Sequence, residues 1–224
     1  MLHYHGTPLT PRSELMTMGG ESFCVSFADP RDIDVCMSIG QSVMLDNGAF
    51  SAFTQGVPFD ISGFTEWAGE FIGHPHWAVM PDVIDGSVEQ QRAMLKSWPH
   101  PKELSAPVWH MGLPIDYLLE LADEYPRLCF GSTAQYWAIG SPSWCARMDE
   151  AFNALCKRRF LPWIHGLRML DLGGSEYPLA SADSVNVARN YKDIGLPAKA
   201  MAKRINSRNT PITWEKRKTQ CELL

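Results

Sequence analysis

No stretch of this sequence stays apolar for the roughly 18 residues a membrane-spanning helix needs, which excludes a transmembrane protein. The opening residues, Met1 to Pro8, hold neither a basic patch nor an apolar run, so a secretory signal peptide is not expected. Cysteine is sparse. Cys24, Cys36, Cys129, Cys145, Cys156 and Cys221 are scattered, and no two form a Cys-x-x-Cys pair. Zinc ribbons and thioredoxin-type motifs are therefore absent. Reduced, mostly buried thiols in a cytoplasmic chain are expected instead. Low-complexity tracts are missing too. With 45% hydrophobic and 20% charged residues, the chain is neither a disordered tail nor a coiled coil.

The 224 residues are enough for one domain with a substantial core. The net charge of −5 is unevenly spread: residues 195–224 carry +5 and the remainder −10. This divides the chain into a body, residues 1–194, and a basic C-terminal segment, 195–224. Lys199, Lys203 and Arg204 in that segment are candidates to meet a phosphate backbone, against the plainer reading of a solvated tail.

Short apolar runs alternate with amphipathic stretches. The runs are Leu2–His5, Phe23–Phe27, Ser42–Leu45, Trp77–Met80, Pro107–His110, Leu128–Phe130, Trp163–Leu167 and Leu179–Ala182. Each has the length of a buried parallel strand. Helical patterns fill the gaps: one opened by Asp29 as cap with Pro30 first, then Asp60–Ile72, Ser87–Trp98, Pro114–Glu124, Pro142–Arg158 and Ser184–Tyr191. Such alternation predicts a parallel sheet covered by helices. Eight units would close into a compact (β/α)8 TIM-like barrel; an open doubly wound sheet is the alternative.

The barrel is preferred because of what ends the runs. Asp46-Asn47-Gly48 follows the third, Pro81-Asp82 the fourth, with Asp85 just beyond. His110 ends the fifth, Gly131-Ser132-Thr133 the sixth. His165 and Arg168 belong to the seventh, and Asp183-Ser184 ends the eighth. In a barrel these positions converge on one mouth, where active sites lie. Converging carboxylates permit a nucleophile and a proton carrier around an anomeric carbon, or a divalent metal. Phe50, Phe53, Trp109, Tyr136 and Trp137 offer faces for a base or sugar, or core packing. His165 reads equally as a general acid or base and as a hydrogen-bonded strand residue. His3-x-His5 and His74-x-His76 each place two imidazoles on one strand face, where a metal is possible but no third ligand is near.

The strand-end motifs resemble a family. Leu45-Asp46-Asn47-Gly48-Ala49-Phe50 is similar to the D-S-G-G-F segment of the tRNA-guanine transglycosylases. Pro81-Asp82 falls at that family's base-recognising aspartate, and Phe130-Gly131-Ser132-Thr133 at its Gly-rich turn. Asp183-Ser184-Val185-Asn186-Val187-Ala188-Arg189 resembles the segment that carries its nucleophile. The order and the approximate spacing agree over residues 1–191. Tyr4-His5-Gly6-Thr7 is closer still to the start of the short, mostly phage-encoded relatives that put 7-deazaguanines into DNA.

The resemblance implies a barrel and a base exchange without an external cofactor; no metal is expected, because this chain departs from the family at its zinc ligands. Asp183 would attack C1′ and expel guanine; the incoming 7-deazaguanine, such as preQ0, would then take its place. Asp46 would move protons and help position the sugar. Asp82 would read the N1–H and 2-amino edge, and the backbone at Gly131 and Ser132 the O6 side. Asn47, Gly48, Phe50 and His110 would complete the base site. Read from the residues alone, Arg168 and Arg189 hold phosphates or pair with the barrel carboxylates, phosphate being favoured for Arg189 because it follows the nucleophile segment. The family's Cys-x-Cys-x-x-Cys…His zinc site is missing, as are the long insertions that grip tRNA, so DNA is favoured over tRNA. His110-Met111-Gly112 replaces the family's Gln-Gly. If phage-encoded, the protein would act in the host cytoplasm. Tyr4-His5-Gly6-Thr7 also resembles a motif of some ADP-ribosyltransferases, a mostly β family that the β/α alternation opposes. A non-catalytic nucleic-acid-binding barrel is the third reading, opposed by the joint presence of Asp46, Asp82 and Asp183.

Overall fold

The computed structural model describes residues 1–172 and 175–217. Nine strands form one sheet: β1 (Leu2–Gly6), β2 (Ser22–Ser26), β3 (Ser42–Asp46), β4 (Trp77–Val79), β5 (Ser105–Ala106), β6 (Val108–His110), β7 (Arg127–Gly131), β8 (Trp163–Gly166) and β9 (Ser181–Ser184). Every pairing is parallel, and the order runs β5-β4-β3-β2-β1-β9-β8-β7-β6. The two ends of the sheet are thus β5 and β6, separated in the chain only by Pro107, so the sheet curls nearly into a closed barrel. Proline has no N–H to give to a ladder. The Pro107 carbonyl still accepts from the Cys129 N–H at 2.9 Å. The run expected at Pro107–His110 is β6 alone, and the two-residue β5 precedes it as a strand that the sequence reading did not include.

Helices cover the outside: α1 (Arg12–Thr17), α2 (Ile33–Ile39), α3 (Ala49–Gln55), α4 (Ile61–Phe71), α5 (Val88–Ser97), α6 (Ile115–Glu124), α7 (Pro142–Leu155), α8 (Asn186–Ile194) and α9 (Ala198–Asn206). Ser87 caps α5 in a reciprocal box with Gln90, as its sequence suggests. The cap expected at Asp29 is not one. Asp29 pairs instead with Arg31 at 2.6 Å, and α2 begins at Ile33 after Asp32.

Alternation along the strands makes two apolar layers. Tyr4, Cys24, Met44, Trp77, Val79, Ala106, Val108 and Cys129 fill the inside of the curled sheet. Their neighbours Val25, Leu45, Ala78 and Phe130 face outward into a larger core under the helices. Strands buried on both faces read as nearly continuous apolar runs. The inner floor is polar but satisfied. Trp77 Nε1 donates to Tyr4 Oη at 2.8 Å, Tyr4 Oη lies 3.0 Å from Ser42 Oγ, and Ser42 Oγ donates to the Pro75 carbonyl at 2.7 Å. Cys24, Cys36, Cys129, Cys145 and Cys156 are unpaired thiols; Cys221 lies outside the described residues. Burial pushes the Cys24 and Cys129 thiols well up, helped by the negative charge of Asp183 and Asp46 above them. Among the described residues no helix is long and apolar enough to cross a membrane.

The basic segment is not a free tail where it is described. Helix α9 buries Ala198, Met201, Ala202 and Ile205. Its last residue locks it to β1: Asn206 Oδ1 accepts from His3 Nδ1 at 3.0 Å and His5 Nε2 at 3.1 Å, and Asn206 Nδ2 donates to Glu21 at 2.5 Å. Both histidines lie in β1, point outward and bind Asn206, so His3-x-His5 serves packing, though not as one imidazole on the barrel floor and one on a loop. Burial pulls the His5 imidazole from its usual 6.5 down to about 4. The unfolded chain therefore takes up a proton that the native protein refuses. The neutral ring's contribution is present above pH 6.5 and is lost as pH falls from there towards 4, about 3 kcal/mol in all. The Asp46 carboxyl works the opposite way. The expected result is that His5→Gln flattens this limb: the stability gap between wild type and variant, from denaturant midpoints, narrows by about that amount between pH 7 and pH 4. A gap independent of pH would refute the assignment.

Candidate active site at the C-terminal ends of the strands

Because all strands run the same way, their C-terminal ends share one rim. Asp46 ends β3, Asp82 follows β4, His110 ends β6, Gly131 ends β7 and Asp183 lies in β9. The structure brings these together.

Asp183 is held through a single oxygen. One of its oxygens, Oδ1, accepts the Arg168 backbone N–H at 2.8 Å and lies 3.2 Å from His165 Nε2. His165 is fully buried beneath it on β8. Its other nitrogen lies 2.8 Å from Ser181 Oγ, which also accepts from Trp163 Nε1 at 2.7 Å. Ser181 thus has its own proton to give to His165 Nδ1. A neutral imidazole with its proton on Nε2 then satisfies every partner. Both nitrogens are engaged and neither opens to the cleft, so His165 positions Asp183. The second Asp183 oxygen has no protein partner among the described residues.

Asp46 stands across the rim. The Gly48 N–H lies 3.3 Å from its Oδ2. Burial pushes its carboxyl up from 3.8 to about 6. Ser26 and the Arg168 charge hold it down, while the charges of Asp183 and Asp82 drive it up. A carboxyl at that point gives and takes a proton near neutrality.

Asp82 is buried in a third arrangement. Its Oδ1 accepts from Asn47 Nδ2 at 2.7 Å and its Oδ2 lies 2.8 Å from His110 Nε2. Asn47 is fully occupied: Nδ2 also donates to the Met80 carbonyl at 2.7 Å, and Oδ1 accepts from the Ala49 N–H at 2.8 Å. The side chain expected to touch substrate is a brace for Asp82. His110 Nδ1 is buried without a partner among the described residues. It lies beside the inner face of Gly131, where an added Cβ would come within 3.2 Å of it. Gly48 takes φ +75, and its Cβ would meet the Ala28 nitrogen at 3.0 Å; glycine alone turns freely from β3 into α3 there. Beside Asp82 lies an apolar cavity of about 290 Å³ walled by Ala52, Phe53, Phe59, Val83 and Met94.

Other expectations are placed differently. Ser132 turns its hydroxyl under α7, accepting from Trp144 Nε1 at 2.9 Å, and away from the base it was expected to read. Trp109 points outward into the core, against Phe130. Phe50 is 40% exposed on α3, and Trp137 is 75% exposed. Arg189 is exposed on α8. Lys199 donates to the Gly19 carbonyl at 3.2 Å, at the end of the sheet where β2 begins. With Lys203 and Arg204 it lies on α9, away from the carboxylates. Lys218 of the same segment is outside the described residues. His76 Nδ1 accepts the Val43 N–H at 3.0 Å. Among the described residues no three His, Cys, Asp or Glu side chains form a group able to hold a metal ion. Ser26 and Ser181 are the site residues that sequence reading missed; both follow from alternation, which turns them inward.

No family model, curated protein or solved structure matches the chain.

Proposed function

We propose that the protein is a base-exchange transglycosylase that replaces guanine in a nucleic acid, DNA in preference to tRNA, by a 7-deazaguanine. Read with Ser105–His110 as one strand, the sheet is an eight-stranded TIM-like barrel with its reaction at the usual end. The observation that carries the proposal is the pairing of two differently tuned carboxyls. Asp183 is held by two donors with one oxygen left over, and Asp46 titrates near 6.

The chemistry then balances. The free oxygen of Asp183 attacks C1′ of the extruded nucleotide. The C1′–N9 bond breaks, its electron pair goes to the departing base, and Asp46 supplies the proton that base needs. The result is a glycosyl ester on Asp183, free guanine and an Asp46 carboxylate. Asp46 next takes the N9 proton of the incoming 7-deazaguanine. That nitrogen attacks C1′, the ester bond breaks, and Asp183 leaves as carboxylate. Two displacements retain the sugar configuration. Asp82, braced by Asn47 and His110, accepts from the N1–H and 2-amino group. Each Asp82 oxygen keeps a further lone pair for those donors, whereas an adenine-like edge would set an acceptor nitrogen against the carboxylate, so it is refused. The base reaches this depth only by leaving its stack. Arg168 and Arg189 supply positive charge for the flanking phosphates.

The deciding experiment offers purified protein duplex DNA, single-stranded DNA and tRNA, each labelled in guanine, with and without 7-cyano-7-deazaguanine. Asp183-dependent release of label from DNA is the expected outcome. Release from tRNA alone would keep the chemistry and change the polymer. A folded protein that binds nucleic acid but releases nothing would point to a non-catalytic barrel.

A further inference from the structure

One contact at the rim has no part in the exchange as just described. The Arg168 guanidinium lies over the face of Phe50, its Cζ 3.8 Å from the ring centroid. Arg168 also has φ +60, a conformation that side-chain-bearing residues rarely adopt. It sits in the turn closed by the Met169 N–H on the Gly166 carbonyl at 3.2 Å. Glycine would take that conformation freely and would still offer its N–H to Asp183. The strain is therefore borne for the side chain, not for the hydrogen bond. Near a rim that holds Asp46, Asp82 and Asp183, this guanidinium forms no ion pair among the described residues. It covers an aromatic face instead.

We propose that Arg168 is a place-holder on the platform where the exchanged base stacks, and that a nucleic-acid phosphate is what draws it away. The proposal rests on the base-exchange reading of the site. A guanidinium is planar and stacks on aromatic rings. A neutral free base offers it nothing better than Phe50. A phosphodiester offers two parallel charge-assisted hydrogen bonds. The order of binding follows. The polymer enters first, its phosphate takes Arg168, and Phe50 is freed for the base. A free base that settled first would block the extruded nucleotide.

The test is binding of 7-cyano-7-deazaguanine to the protein without nucleic acid, by titration calorimetry. Arg168→Ala and Arg168→Gly are expected to bind it at least about tenfold more tightly than wild type. Arg168→Lys, which keeps the charge but not the planar stack, should gain similarly while holding the KM for DNA nearer that of wild type. In steady-state exchange Arg168→Ala should lower the KM for the base and raise the KM for DNA, a split that general loosening of the fold would not produce. The gain should vanish in Phe50→Ala/Arg168→Ala. Equal affinity of wild type and Arg168→Ala, or a gain that survives loss of Phe50, would overturn the place-holder while exchange by wild type kept the reading of the site. Absence of both base binding and guanine release in every protein would overturn both.

Discussion

Asp183→Ala is expected to abolish base exchange, lowering kcat by about 10⁴-fold or more, because no other group can take over a lost nucleophile. The fold should survive. The side chain sits at the rim, and its removal leaves the Arg168 N–H and His165 Nε2 facing a cleft that water can enter. Asp183→Asn is the sharper variant. Its amide oxygen can still accept from both donors, so the geometry stays while the nucleophile goes. Both variants should melt cooperatively near wild type and show no covalent adduct with DNA by denaturing gel or intact mass. Wild-type exchange by either would end the assignment. His165→Ala should behave differently: it leaves the nucleophile in place but unheld, so an adduct should still form, more slowly. In Asp183→Ala the Asp46 carboxyl also loses one of the charges that drive it up, and its titration should move down.

Much of this arrangement could be read before any coordinates. The apolar runs are short and separated by amphipathic stretches, and strands buried on both faces leave that signature. Helix α9 was the instructive exception. Ala198, Met201, Ala202 and Ile205 are spaced as one helical face, but Lys199, Lys203 and Arg204 between them suggested a solvated tail. Strand β9 was expected at Leu179–Ala182 and lies at Ser181–Ser184. Its inward residues are Ser181 and Asp183, and polar groups that work inside a barrel do not look like a strand. The convergence of Asp46, Asp82, His110 and Asp183 was legible because each ends a run or directly follows one. Their partners were not. That Asn47 braces Asp82, that His165 sits under Asp183, and that Arg168 reaches Phe50 across the rim are contacts between distant segments. No local pattern encodes them.

Asp46→Asn is expected to move activity and stability in opposite directions. Loss of a proton carrier at a poised carboxyl should lower exchange by about 10² to 10⁴-fold. In wild type, formation of the glycosyl-enzyme needs protonated Asp46 and should weaken as pH rises through about 6, the value to which burial raises this carboxyl. Capture by the incoming base needs the carboxylate and should strengthen over the same interval. Single-turnover rates of the two half-reactions measured from pH 5 to 8 should therefore cross in wild type and run flat in the variant. Stability carries the other sign. A carboxyl raised in the folded state holds a proton that the unfolded chain has already released between pH 3.8 and about 6. Its stabilising contribution is present below that window and is lost as pH rises through it, leaving a disfavoured charge above. Asparagine carries no charge there, so the variant should gain in Tm relative to wild type at pH 8 and lose that advantage at pH 4. A substitution that merely damaged the barrel would lower both activity and Tm at every pH. A variant less active yet more stable at alkaline pH marks Asp46 as a charge kept for chemistry at the expense of the fold.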